Sequence, residues 1–165
     1  MTSFLQESNL FANALTELKG KPVLVLGHRR PDGDCIGSQV GLTRVLIELG
    51  VNACAVNQDP VPRTLKKFVG NTPFFSPEEI EGNDFTIVTV DCADKHRIGE
   101  ELSKRFPKVF LNIDHHVSNN NYAKTNFVLA DASATGEILA KFFLDCEMKI
   151  DSITAQVKSS PLGAV

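Results

Sequence analysis

Val23-Leu24-Val25-Leu26-Gly27-His28-Arg29-Arg30-Pro31-Asp32-Gly33-Asp34 is the stretch that decides the fold. Its first four residues form an unbroken run of valine and leucine, the pattern of a strand buried on both faces. Gly27 ends the run, and a polar segment with Pro31 and Gly33 supplies a tight turn. From about Asp34 to Leu49 the chain then carries Ile36, Val40, Leu42, Val45, Leu46 and Leu49 for the core face of a helix, which Gly50 closes. A buried strand that passes through a polar turn into a helix predicts an α/β fold.

The same alternation continues on either side. Upstream, Phe4–Leu18 has Leu10, Phe11, Ala14, Leu15 and Leu18 at helical spacing, with a stop at Lys19-Gly20. Downstream, Val51–Val56 reads as a second strand, Asn57–Pro62 as a loop and Leu65–Val69 as a helical turn. Phe74–Gly82 reads as a connection, and Phe85–Val90 as a strong strand ahead of Asp91. His96–Phe106 has a basic last turn and is stopped by Pro107. Val109–Ile113 is a fourth strand interrupted by Asn112 and ending at Asp114, and Ala134–Leu144 is amphipathic through Ile138, Leu139, Phe142 and Phe143. The expectation is a mainly parallel sheet with helices on both faces.

Composition narrows the function. The 165 residues suit one domain, and 42% hydrophobic with 22% charged residues fits neither a disordered tail nor a membrane span. The apolar runs are strand-length, far below the ~20 residues a bilayer requires, and Met1–Leu10 lacks the basic and apolar regions of a signal peptide, so the chain reads as cytoplasmic. A net charge of −3 argues against long duplex nucleic acid as a partner. The four cysteines Cys35, Cys54, Cys92 and Cys146 include no C-x-x-C pair and read as small hydrophobes kept reduced. No G-x-G-x-x-G or Walker A pattern is present, which argues against nicotinamide and P-loop chemistry. With no Trp and one Tyr the chain offers few stacking platforms, although eleven Phe remain.

Three polar clusters follow predicted strands: His28–Asp34 the first, Asp91 the third, and Asp114-His115-His116 the fourth. In open parallel sheets ligands bind at the carboxyl ends of strands, so these segments share one edge. Each has an ordinary explanation alone: Asp32 a turn residue, Asp34 a helix cap, Asp91 a cap, the histidine pair a solvated loop. Gathered together, however, carboxylates at ~4 Å repel by about 4 kcal/mol per pair at an effective dielectric of 20, with only Arg29 and Arg30 near in sequence. One or two divalent cations would remove that repulsion. Asp-rich sets with histidine favour Mn²⁺ or Mg²⁺, with some access to Zn²⁺ or Co²⁺. A carboxylate bridging two ions suits in-line displacement at phosphorus. Around this set, Ser133 and Thr135 fit caps of the Ala134–Leu144 helix, His96 reads as surface and Arg97 as a solvated helix start. Cys35 and Cys92 are expected to point away from the cluster by alternation.

The order His28-x-x-Pro31-Asp32-Gly33-Asp34-x-x-Gly37-Ser38, then Val90-Asp91, then Asp114-His115-His116-x-Ser118-Asn119 resembles the DHH phosphoesterase family. With Asn57-x-Asp59-Pro60-Val61-Pro62 it looks most like the branch that degrades nanoRNA and dephosphorylates 3′-phosphoadenosine 5′-phosphate (pAp). The resemblance spans about Lys21 to Gln156. It implies one Mn²⁺ on His28, Asp32 and Asp91 and a second on Asp34, Asp91 and His115, with Asp91 bridging. His116 would contact the scissile phosphate, and Asp114 would orient the histidines. Implied substrates are short RNA oligonucleotides or pAp, with no membrane partner and a homodimer left open. Family members continue past a segment like Ile153-Thr154-Ala155-Gln156 into a further Asp-bearing strand and a substrate-gripping domain. Here the chain reads Val157–Val165 instead, and Asp151 is a poor substitute for that Asp. The expectation is therefore an incomplete DHH-type domain over 1–156, a divergent tail over 157–165 and no C-terminal substrate domain. An inorganic pyrophosphatase-like hydrolase and a non-catalytic metal- or nucleotide-binding fragment are the competing readings; the Asn57–Pro62 segment weighs against the first.

Overall fold

The computed structural model describes residues 4–150. Asp151, Ile153–Gln156 and the Val157–Val165 tail, on which the domain expectation turns, lie outside the described residues. Within them the strands are β1 (Val23–Leu26), β2 (Ala53–Val56), β3 (Phe74–Phe75), β4 (Thr86–Val90), β5 (Leu111–Asp114) and β6 (Thr125–Val128). The α-helices are α1 (Leu5–Thr16), α2 (Gly33–Glu48), α3 (Lys66–Val69), α4 (Glu100–Arg105) and α5 (Thr135–Asp145).

The strands form one sheet in the order β3-β2-β1-β4-β5-β6, and every neighbouring pair is parallel. The chain leaves β1 toward β2 and β3, then returns to lay β4, β5 and β6 on the other side. The reversal opens a crevice beyond the carboxyl ends of β1 and β4, where such sheets bind ligands.

Strand alternation divides the core between two faces. Val23, Val25, Val88, Val90, Leu111 and Ile113 pack with Phe11, Leu15, Leu42, Leu46, Ile138 and Phe142 of α1, α2 and α5. Leu24, Leu26 and Ile87 face Ile98, Leu102 and Phe106 around α4 on the other side. Helices cover both faces, as the buried β1 run requires. Phe11 anchors the larger core, with its ring 4.7 Å from Phe142 and 5.9 Å from Phe127; burying such a side chain is worth about 1.5–3 kcal/mol.

Several expectations are corrected. Phe74–Gly82 holds an edge strand and a 3₁₀ turn (Pro77–Glu79), and β6 falls in a stretch with no sequence reading. The helix expected over His96–Phe106 is a 3₁₀ turn, Lys95–Ile98, followed by α4, because Gly99 sits at φ 111°, outside helical space. Asn112 does not break its strand. It is fully buried in β5, where its Nδ2 donates to Thr89 Oγ1 at 2.9 Å and to the Tyr122 hydroxyl at 2.9 Å.

Gly27 lets α2 lie close against the end of β1. A Cβ there would stand 2.3 Å from Cys35 Sγ and 2.6 Å from Gln39 Oε1. Buried Gln39 uses its amide to bind the Val25 and Val56 carbonyls at 2.9 and 3.2 Å, tying the helix to β1 and β2. The first turn of α2 is thereby fixed over the crevice.

Candidate metal centre

His28 follows Gly27 at the end of β1 and is 6% exposed. Its Nδ1 lies 2.7 Å from the Arg29 carbonyl, an acceptor, so Nδ1 is the donor. Nε2 then faces the carboxylates, 3.4 Å from Asp91 Oδ2 and 3.8 Å from Asp32 Oδ1. Arg30 sits at φ 53° in this loop, and its amide donates to Asp59 Oδ2 at 2.7 Å, so the loop after β2 braces the loop after β1.

Asp32, not Asp34, is the N-cap of α2: its Oδ1 accepts from the Cys35 amide at 3.0 Å, in accord with its turn position. Asp34 lies two residues further on, within the same first turn, and is gripped by α5. The Thr135 and Gly136 amides donate to its Oδ2 and Oδ1, each at 2.8 Å. Thr135 is therefore no cap of its own helix. It is buried, and its hydroxyl donates to Asp91 Oδ1 at 3.1 Å. Ser133, by contrast, donates through amide and hydroxyl to Glu137, bracing the start of α5.

Asp91 follows β4 in the left-handed region at φ 54°, which Asp tolerates better than most residues. Its side chain is 3% exposed, and its two oxygens are divided: Oδ2 faces His28, while Oδ1 lies 3.6 Å from His115 Nε2 and 3.7 Å from His116 Nδ1. His115 Nε2 also stands 3.8 Å from Asp34 Oδ2. At the end of β5, fully buried Asp114 pairs with His116 Nδ1 at 2.7 Å, leaving Nε2 as the free ring nitrogen. The other Asp114 oxygen accepts from Asn119 Nδ2 at 2.7 Å. Asn119 and Asn112, with Tyr122, form a polar floor whose donors converge on the Cys92 carbonyl.

The seven residues expected from the sequence, His28, Asp32, Asp34, Asp91, Asp114, His115 and His116, thus share one edge. Among the described residues two donor sets have their atoms mutually within 4.8 Å: His28, Cys35 and Asp91, and Asp91, His115 and His116. Cys35 overturns the alternation argument: it belongs to the first turn of a helix, where a period of two does not apply, and points back toward His28. Burial pushes its thiol up, so it is no ready thiolate. Cys92 does turn aside, packing under the sheet with its Sγ toward the Asp94 carbonyl. His96 and Arg97 are exposed.

Charge is strongly coupled here. Burial opposes the His28 imidazolium, but the Asp32 and Asp91 carboxylates overcome it and hold the ring well above its usual range. Asp32 is held down at about 2, first by its bond to His28. Asp34 is pushed up to about 6 by burial and by the Asp91 charge, against the pull of the α5 amides. The edge thus carries more negative charge than its own side chains neutralise, and protons settle where cations would. The donor set of carboxylates and imidazoles, split about Asp91, fits two divalent ions.

The profile of the DHH family, N-terminal domain, matches residues 22–161, and the chain belongs to that family. Among curated proteins it is 32% identical over 136 residues to the bifunctional oligoribonuclease and PAP phosphatase NrnA of Thermus thermophilus, covering 82% of this chain and 40% of that one. The Bacillus subtilis protein of the same description is 29% identical, over 74% of this chain and 38% of its own. The chain therefore spans less than half the length of these relatives. Among solved structures, an exopolyphosphatase-related protein from Bacteroides fragilis superposes with a TM-score of 0.79 at 20% identity, covering 96% of this chain and 50% of that one. Thermus thermophilus RecJ in complex with Mn²⁺ superposes with a TM-score of 0.50 at 18% identity, over 94% of this chain and 23% of its own. Both share the fold.

Proposed function

We propose that residues 1–156 are the metal-binding domain of a phosphoesterase that acts on short RNA oligonucleotides and on pAp. The observation that carries this reading is the division of the Asp91 carboxylate between His28 on one side and His115 on the other. His28, Asp32 and Asp91 would hold one ion, and Asp34, Asp91 and His115 the other, with Mn²⁺ the ion of choice and Mg²⁺ or Co²⁺ as substitutes. Mn²⁺ is also the ion that the RecJ structure contains. When bound, such ions polarise phosphoryl oxygens and lower the pKa of water. The protein's own part is orientation and charge. Asp114 fixes the His116 tautomer, so that Nε2 is free to contact the phosphate and to hold or pass a proton there. The α5 amides and the Thr135 hydroxyl fix the orientation of Asp34 and Asp91, the carboxylates that would face the ions.

The NrnA relatives support the substrate class, because both are described as oligoribonuclease and PAP phosphatase. Four free cysteines suit a reducing cytoplasm, and no helix among the described residues is long and apolar enough to cross a membrane. The test is Mn²⁺-dependent hydrolysis of pAp, a diribonucleotide and pyrophosphate, on this chain and on one extended past Val165. Cleavage of the first two is expected. Pyrophosphate alone would move the assignment to a pyrophosphatase, and no cleavage by either chain would leave a binding remnant.

A further inference from the structure

A cleft of about 640 Å³ opens at the carboxyl ends of β2 and β3, and the metal centre does not use it. That volume is in the range of small-ligand sites. Its wall includes Asn57, Asp59, Lys66, Phe74, Phe75 and Glu78. Phe75 is 37% exposed, a large ring left open on the last residue of the edge strand. Asn57 is 2% exposed; its Oδ1 accepts from the Gly27 amide at 3.1 Å, and its Nδ2 has no hydrogen-bond partner among the described residues.

The cleft and the metal-site loop are joined. Asn57 binds the residue before His28, and Asp59 binds Arg30 within the His28–Asp32 turn. Parallel strands lie about 4.8 Å apart, so the end of β3 stands about 10 Å from that of β1. Three carboxylates in the wall, Asp59, Glu78 and Glu79, outnumber its one ammonium, Lys66, and disfavour a phosphate there. An aromatic face with polar neighbours suits a flat heterocycle bearing N–H groups.

We infer that this cleft is the pocket for the nucleobase of the nucleotide whose phosphate lies at the metal centre, with Phe75 as its stacking face; the inference rests on the phosphoesterase reading. A nucleotide placed this way runs along the sheet edge, base beyond β2 and β3 and phosphate beyond β1 and β4.

The chain has no tryptophan, so Phe75→Trp gives a single indole at the stacking position, excited selectively over Tyr122. In the Mn²⁺-loaded full chain, pAp should quench that emission saturably, and ribose 5-phosphate, which has no base, should not. By calorimetry Phe75→Ala and Phe75→Leu should each bind pAp about 5- to 150-fold more weakly, the range for loss of one stacked base, with Mn²⁺ affinity unchanged. Restoration by leucine would overturn stacking. Unaltered pAp affinity in Phe75→Ala, or unchanged emission from the Phe75→Trp chain while calorimetry records pAp binding, would place the base elsewhere and leave the phosphoesterase reading intact. Absence of pAp binding by the Mn²⁺-loaded natural chain would overturn both.

Discussion

Asp91 is the residue on which the two halves of the centre meet. It is buried, holds a left-handed backbone and presents a different oxygen to each imidazole cluster. Asp34 faces only His115 of the three imidazoles. Calorimetric titration should therefore show both Mn²⁺ steps lost in Asp91→Ala and one retained in Asp34→Ala; equal losses would contradict the bridging role. Asp34 also sets a pH dependence. Its carboxyl titrates at about 6, so below that value a proton occupies the group a cation needs, and above it the carboxylate is free. Affinity for the ion at Asp34 should fall as pH drops through about 6, and the Asp34→Ala chain should lose that inflection.

At the scale of elements, two helix starts and three strand ends build the site. The N-terminus of α2 carries Asp32 and Asp34, and the N-terminus of α5 closes on Asp34 from across the crevice. The α5 amides bring the favourable end of a helix dipole to a carboxylate. Thr135 adds a hydrogen bond to Asp91, which makes it a positioning residue. Partners that orient metal ligands typically contribute 10- to 100-fold in affinity. Thr135→Val, which keeps the shape and removes the hydroxyl, should weaken Mn²⁺ binding by about 10-fold on that scale, and Thr135→Ser should restore it. An unchanged isotherm in Thr135→Val would reduce the residue to core packing.

For the whole molecule, carboxylate repulsion is built into one edge of a well-packed sheet, so cation binding and stability are linked. An ion at 100 times its Kd stabilises the folded state by about 2.7 kcal/mol, several degrees in Tm for a domain of this size. Mn²⁺ should raise Tm and EDTA should reverse the gain, while Asp91→Ala should abolish the response. A Tm indifferent to Mn²⁺ in the natural chain would mean that the edge holds no ion.

The sequence by itself determined the α/β class, the parallel sheet and which polar residues gather at one sheet edge, because each signal is local. A run such as Val23–Leu26 has to be buried, and polar residues that follow a buried strand emerge at its carboxyl end. It left β3 and β6 unread: one is only two residues long and the other mixes Thr and Asn with its apolar positions. The break at Gly99 also escaped, since a glycine in a helical pattern is a stop only when its backbone turns. Thr135 looked like a cap because local chemistry favours that use. Its partners Asp34 and Asp91 are 101 and 44 residues away, and only the packing of α5 against α2 brings them together. The split of Asp91 between two imidazole clusters, the return of Cys35 to His28 and the cleft beside Phe75 belong to the tertiary structure alone, because each is a distance between residues on different elements.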